Sequence, residues 1–306
     1  MTDDMTRRPG ADLEAELTSQ PDVWERAAAL ASRDLLPPDG QRIAVIGCGT
    51  SWFMAQAYAS LRERNGRGET DAFAASEAFV DRDYDAIVAI TRSGTTTEVL
   101  ELLDDVRGRA RRDRARTIGV VGDPNTPLVE LVDDVIALAF ADEHSVVQTR
   151  FATSALALLR ASVGQDLSRA IAQARDVLAA DLDDELIDAE QYTFLGTGWT
   201  VGIAHEAALK MRESSQSWTE SYPAKEYRHG PIAIAAPGRV TWAFGEPPTG
   251  IAEDTAAAGA RFEHNPIDAM ADLVRLHRVA LERARRKGLD PDQPRNLTRS
   301  VILDRP

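Results

Sequence analysis

Residues 84–94, YDAIVAITRSG, decide the fold. The run from Ala86 to Ile90 is apolar without alternation, the mark of a short strand buried on both faces, as in a parallel sheet. It passes directly into a turn rich in hydroxyls, Thr91, Ser93, Thr95, Thr96 and Thr97, with Gly94 among them, and then into the amphipathic stretch TTTEVLELLDDVRGRA. This is a strand–turn–helix unit. Upstream, RIAVIGCGT followed by SWFMAQAYASLRERNG repeats it; downstream, TIGVVG, TPLVELV and DVIALAFAD continue the alternation. Short Val/Ile/Ala-rich runs separated by amphipathic ones predict an α/β domain, a parallel sheet with helices on both faces.

The pattern restarts further on. After the stretch HSVVQTRFATSALALLRASVG, read as helical, and LSRAIAQARDVLAADL, the segment YTFLGTG reads as a second first strand, and TVGIAHEAALKMRESS as its helix. Gly47 and Gly49 align with Gly196 and Gly198, and Ala55 and Ala59 with Ala204 and Ala208, at one constant offset. A duplicated unit is expected. The second copy shows fewer strands, since after RVTWAFGEP and IAEDTAAAGARF the chain enters one long helical stretch, PIDAMADLVRLHRVALERARRKG. The last stretch, LDPDQPRNLTRSVILDRP, reads as an extended tail packed back on the domains.

Composition excludes several functions. With 306 residues, 43% of them hydrophobic, there is material for two cores. A net charge of −14 repels nucleic acid and acidic membrane surfaces. Cys48 is the single cysteine and forms no internal disulfide. No run of about 18 apolar residues is present to cross a bilayer, and the N-terminus lacks the apolar core of a signal peptide, so a cytoplasmic protein is expected. None of the five histidines has a partner at metal-ligand spacing, and neither metal nor cofactor is implied.

Ligands of open α/β sheets sit where strand ends meet helix N-termini, and there the unpaired N–H groups favour an anion. Two hydroxyl-rich turns stand at such junctions: Gly49, Thr50 and Ser51 in one, and Thr91, Arg92, Ser93, Gly94 and Thr96 in the other. Ser and Thr also cap helices, and a single such turn has no more weight than that. Two in one domain point to a phosphate ester. The P-loop pattern is missing and GCGTSWF lacks the third glycine of the dinucleotide fingerprint, so nucleotides are disfavoured.

The motifs GCGTS, TRSGTTTEV, HEAALKMRE, KEYRHGP and DQPRNLTRSV, in this order, resemble the sugar isomerase (SIS) family, and within it the double-SIS isomerase half of glutamine–fructose-6-phosphate aminotransferases. The resemblance runs from about Ala11 to the C-terminus. It implies an N-terminal segment over 1–24, a first SIS domain over 25–168, a second, reduced one over 169–288, and a tail over 289–306 closing the site. Each domain would be a three-layer αβα sandwich. In the family, phosphate is held by the residues matching Ser51, Thr91, Ser93 and Thr96. The residue matching Glu213 moves a proton between carbons 1 and 2 of the sugar, beside a lysine matching Lys210. The residue matching His229 helps open the sugar ring from a neighbouring subunit, which implies a homodimer.

Departures from the family bear on substrate. Arg92 stands in place of a glutamine, and Gln148, in SVVQT, in place of a sugar-contacting serine. Arg299 replaces a tail lysine that can form a Schiff base, a role closed to a permanently protonated guanidinium. No glutaminase domain is seen in these residues, so glutamine-derived ammonia is not expected as the amine source. The expectation is an isomerase acting on an amino sugar 6-phosphate, coupled to deamination or deglycation. Open alternatives are a plain phosphosugar isomerase and a non-catalytic sugar-phosphate sensor. Apart from the resemblance, Lys210 and Glu213 are simply three apart on one helix face, a spacing that a solvated ion pair also has. His229 lies in a turn.

Overall fold

The computed structural model describes residues 7–33, 35–109 and 115–303. Two compact units emerge, each assembled from discontinuous stretches. One holds Asp22–Asp142, Arg150–Arg169 and the described residues from Ser300 onward; the other holds the described residues up to Pro21 together with Glu143–Thr149 and Ala170–Arg299.

The Asp22–Asp142 unit is built on five parallel strands: β1 (Ile43–Gly47), β2 (Thr70–Ala74), β3 (Ala86–Thr91), β4 (Arg116–Val121) and β5 (Asp134–Ala137), in the order β2-β1-β3-β4-β5. Every residue of β1 and β3 is buried, as their unbroken apolar runs require. Ala44, Ile46, Ile87 and Ala89 share one face and pack with Val99, Leu103 and Val106 of the helix Thr97–Arg107. The alternate residues Val45 and Val88, also fully buried, face the other way. The helix Thr50–Arg64 contacts β1 and β3 and buries Met54, Ala55, Ala57 and Tyr58.

The other sheet has four parallel strands, β6 (Gln191–Gly196), β7 (Thr219–Pro223), β8 (Arg239–Phe244) and β9 (Arg261–His264), in the order β7-β6-β8-β9. One face is aromatic: Tyr192 and Phe194 of β6 stack at 6.1 Å, and Trp242 and Phe244 of β8 at 6.0 Å. The long helix Ala269–Arg286 lies on it, with Arg275 over the Trp242 ring, Arg283 over that of Tyr192, and Asp272 accepting the Trp242 indole N–H at 2.7 Å. Leu195 and Ala243 fill the opposite face with Tyr227 and Ile251.

The two sheets share a local plan. Ile43 pairs with Thr70 and Gly47 with Ala74; Tyr192 pairs with Thr219 and Gly196 with Pro223, at the same separations along the chain. In each, the closing glycine of the first strand is pressed by the helix that follows: a Cβ would lie 2.7 Å from the Ser51 carbonyl carbon at Gly47, and 2.2 Å from the Thr200 oxygen at Gly196. Only glycine allows so close a crossing.

Helix expectations hold with one correction. The stretch from His144 to Gly164 is helical only over Arg150–Ser162; residues 144–149 are not helical. Buried carboxyl groups bind their amides instead, as described below. No helix among the described residues is long and apolar enough to cross a membrane.

Candidate active site

Strand order reverses between β1 and β3, and this is where an open α/β sheet offers a crevice at its carboxyl edge. The turns leaving those two strands are the hydroxyl-rich ones. Thr50 and Ser51, both buried, open the helix Thr50–Arg64. Thr91 closes β3, with its hydroxyl accepting the Gly94 N–H at 3.3 Å. Gly94 sits at φ +61°, and a Cβ there would lie 2.0 Å from the Thr126 hydroxyl, so the turn admits no side chain. Thr96 is the N-cap residue of the helix Thr97–Arg107, yet its side chain makes no capping hydrogen bond. At this position the simple capping role fails. Arg92 is 2% exposed, and its carbonyl accepts the Gly122 and Asp123 N–H groups, tying the turn to the end of β4.

Residues 300–303 lie on the same turn. The Ser300 hydroxyl is 3.1 Å from that of Ser93 and 3.0 Å from that of Thr95. Thr97 N–H donates to the Val301 carbonyl, and Leu303 N–H donates to the Thr97 hydroxyl.

The Ala170–Arg299 unit carries charge. On the helix Thr200–Ser215, Lys210 is 1% exposed and its ammonium lies between two carboxylates of its own helix, 3.6 Å from Glu206 and hydrogen-bonded to Glu213. Burial opposes that charge, but Glu206, Glu213 and, more weakly, Glu143 outweigh it and hold the lysine above its ordinary pKa. Lys210 is therefore a fixed ammonium, a donor and electrostatic anchor. Glu206 is as buried as the lysine, whereas the Glu213 side chain keeps 19% of its surface. Of the pair, Glu213 is the one with an open edge.

His277, on the long helix, is fully enclosed and pushed down to about 3, first by burial and then by the Lys210 charge. Its Nδ1 faces the Gln20 amide nitrogen at 3.2 Å. An amide nitrogen only donates, so the neutral ring carries its proton on Nε2.

The structure thus brings Lys210 and Glu213 together. His229 is elsewhere, exposed on the short 3-10 helix Glu226–His229. Gln148 is half-buried, with its Oε1 enclosed and unpartnered among the described residues, while Arg299 is exposed. Glu206, Glu143 and His277 escaped the sequence reading. Glu206 carried a legible signal, four residues before Lys210 inside the HEAALKMRE motif; the other two reach the lysine from distant segments.

Residues 39–163 match the SIS domain family model. The protein is 28% identical to the glutamine–fructose-6-phosphate aminotransferase [isomerizing] of Nostoc sp. (strain PCC 9229), over 99% of this chain and 59% of that protein. The chain spans about half the length of the curated relatives it matches. Among solved structures, glucosamine-6-phosphate deaminase from Thermotoga maritima superposes with a TM-score of 0.81 at 22% identity, covering 96% of this chain and all of that one. Tagatose-6-phosphate ketose/aldose isomerase from Escherichia coli gives 0.77 at 18% identity, covering 97% and 98%. At these identities the likeness is one of fold.

Proposed function

We propose that the chain is a phosphosugar isomerase-type enzyme acting on an amino or amine-derived hexose 6-phosphate, built as two tandem SIS domains with a C-terminal tail at the site. The observation that carries this reading is the Glu206–Lys210–Glu213 cluster. A buried ion pair is a weak source of stability, because desolvation cancels most of the attraction, and clusters of this kind are characteristic of sites that move protons. Neutral hydroxyl donors after β1 and β3 suit the phosphate.

In the proposed reaction the Glu213 carboxylate removes the proton on carbon 2 of the open-chain aldosamine. The C–H electron pair becomes the C1–C2 double bond, and the carbonyl oxygen takes up a proton to give an enol. Lys210 steadies the developing negative charge. Return of the proton to carbon 1 leaves a ketimine, and water hydrolyses it to ketose phosphate and ammonia. The nitrogen belongs to the substrate, so no lysine Schiff base is needed, in keeping with Arg299 in the tail. A fructosamine phosphate would run the same steps from carbon 1 and release the amine with an aldose phosphate. His229, exposed on its turn, is assigned to ring opening in a partner subunit of a homodimer.

The test is turnover of a panel of hexose 6-phosphates with hydroxyl, amino and N-alkylamino substituents, followed by mass spectrometry. Release of ammonia or free amine supports the reading. Interconversion confined to unsubstituted sugars would make the chain a plain isomerase, and tight binding with every ligand unchanged would make it a sensor.

A further inference from the structure

The segment Glu143–Thr149, which carries Gln148, is fastened by two buried carboxyl groups in its own unit. Glu143, 1% exposed, accepts the Thr149 N–H at 2.6 Å and the Thr149 hydroxyl at 3.1 Å on one oxygen. Glu16, 3% exposed on the helix Ala11–Thr18, accepts the N–H groups of His144 at 2.5 Å and Ser145 at 3.2 Å on Oε1. Its other oxygen lies 2.6 Å from the Ser145 hydroxyl, and that hydroxyl is 2.7 Å from the Val147 carbonyl. A hydroxyl has one proton to give. The Val147 carbonyl can only accept, so the Ser145 proton goes there, and the short Glu16–Ser145 contact needs a second proton. The alternative presses two lone-pair oxygens together at 2.7 Å in a buried place.

We infer that Glu16 is held as a carboxylic acid, whose O–H donates to Ser145 and latches the Gln148 segment in place. Glu143 accepts two donors on one oxygen, and its charge acts on Lys210. Burial raises the Glu16 pKa, and the Glu143 charge adds to it, with the His144 and Ser145 N–H donors opposing. Other charged groups around this helix are engaged elsewhere: Glu14 pairs with Arg285, Asp12 with Arg7, Asp292 accepts the Asp12 and Leu13 N–H groups, and His277 is neutral.

The native protein then binds a proton that the unfolded chain gives up above about 4.5. Stability from the latch is complete below that pH and is lost as pH rises through the raised native value. Glutamine copies the neutral acid, with an oxygen for the two amides and an N–H for Ser145. Thermal midpoints of the substrate-free protein, its Glu16→Gln variant and its Glu16→Ala variant are compared between pH 5 and 8. Relative to Glu16→Gln, the parent is expected to lose about 2–4 °C per pH unit between about 4.5 and the raised native pKa, levelling off above it, and Glu16→Ala to be lower than both at pH 5. Parallel curves for parent and Glu16→Gln, or a glutamine variant as unstable as the alanine one at pH 5, overturn the proposal. Should the variants not fold, infrared spectra of the parent decide: at neutral pH a buried carboxylic-acid C=O band is expected, and only ionised carboxylates would contradict it. No activity enters this test, so it stands or falls apart from the reading of the site that Gln148 would serve.

Discussion

The helix that follows β1 and the helix that follows β6 hold the same place in sheets of the same local plan, and they carry opposite chemistry. The first begins with the neutral hydroxyls of Thr50 and Ser51; the second buries Glu206 and Lys210 and leaves Glu213 partly open. The glycine–helix crossing is common to both, at Gly47 and at Gly196. What differs is how charge is treated. Neutral donors hold an anion without a desolvation penalty of their own, whereas a buried ammonium must be matched by carboxylates in place before any substrate arrives.

The contrast breaks most severely at Lys210. Lys210→Met strands Glu206 as an unmatched buried carboxylate and is expected to destabilise the protein by about 3–5 kcal/mol in denaturant titrations, while abolishing turnover. A variant that is as stable as the parent would show that the cluster is not held by charge. Smaller, and confined to binding, is the effect at the hydroxyl turns. Ser51→Ala combined with Thr96→Ala is expected to weaken calorimetric affinity for a hexose 6-phosphate about 10- to 100-fold, on the basis of about 1–3 kcal/mol for hydrogen bonds to a charged group, with the unfolding transition unchanged. Unchanged affinity would remove phosphate from that end of the sheet.

Least in size is a pH effect. His277, pushed down to about 3, contributes stability present above about 6.5 that is lost as pH falls, by roughly 1.4 kcal/mol per pH unit. Asp272, enclosed and pushed up to about 6 by burial, works in the opposite direction, gaining stability as pH falls from about 6 towards 4. In that shared window the two slopes oppose each other. His277→Gln removes one of them, so its stability should rise relative to the parent's as the solution is acidified, as measured by denaturant unfolding at stepped pH. Parallel profiles would mean that the imidazole is not held neutral.

The sequence made the centre of each sheet legible because β1 and β3 are apolar runs and β4, β6 and β8 carry shorter ones, each ending at a glycine or hydroxyl turn. Strands β2 and β7 were not foreseen. TDAFA and TESYP are edge strands, half exposed over most of their length, so no continuous apolar pattern marks them. Residues 144–149 read as the start of a helix because Val146 and Val147 fit its periodicity; the carboxyl groups of Glu16 and Glu143 capture their amides from outside the segment. The Lys210–Glu213 pair was visible in its spacing, but nothing local revealed that the lysine is enclosed, since that depends on the long helix and on Glu143. Burial of charge is a tertiary property, and it separates a surface ion pair from a reactive one.

The most direct test is exchange of the carbon-bound proton of an amino hexose 6-phosphate in heavy water, followed by NMR for the parent and for Glu213→Gln. Deuterium should enter at carbon 1 or 2 with the parent, while the variant still binds but exchanges about 10²–10⁴-fold more slowly. Equal exchange rates for the two would contradict the assignment of Glu213 as the group that carries the proton.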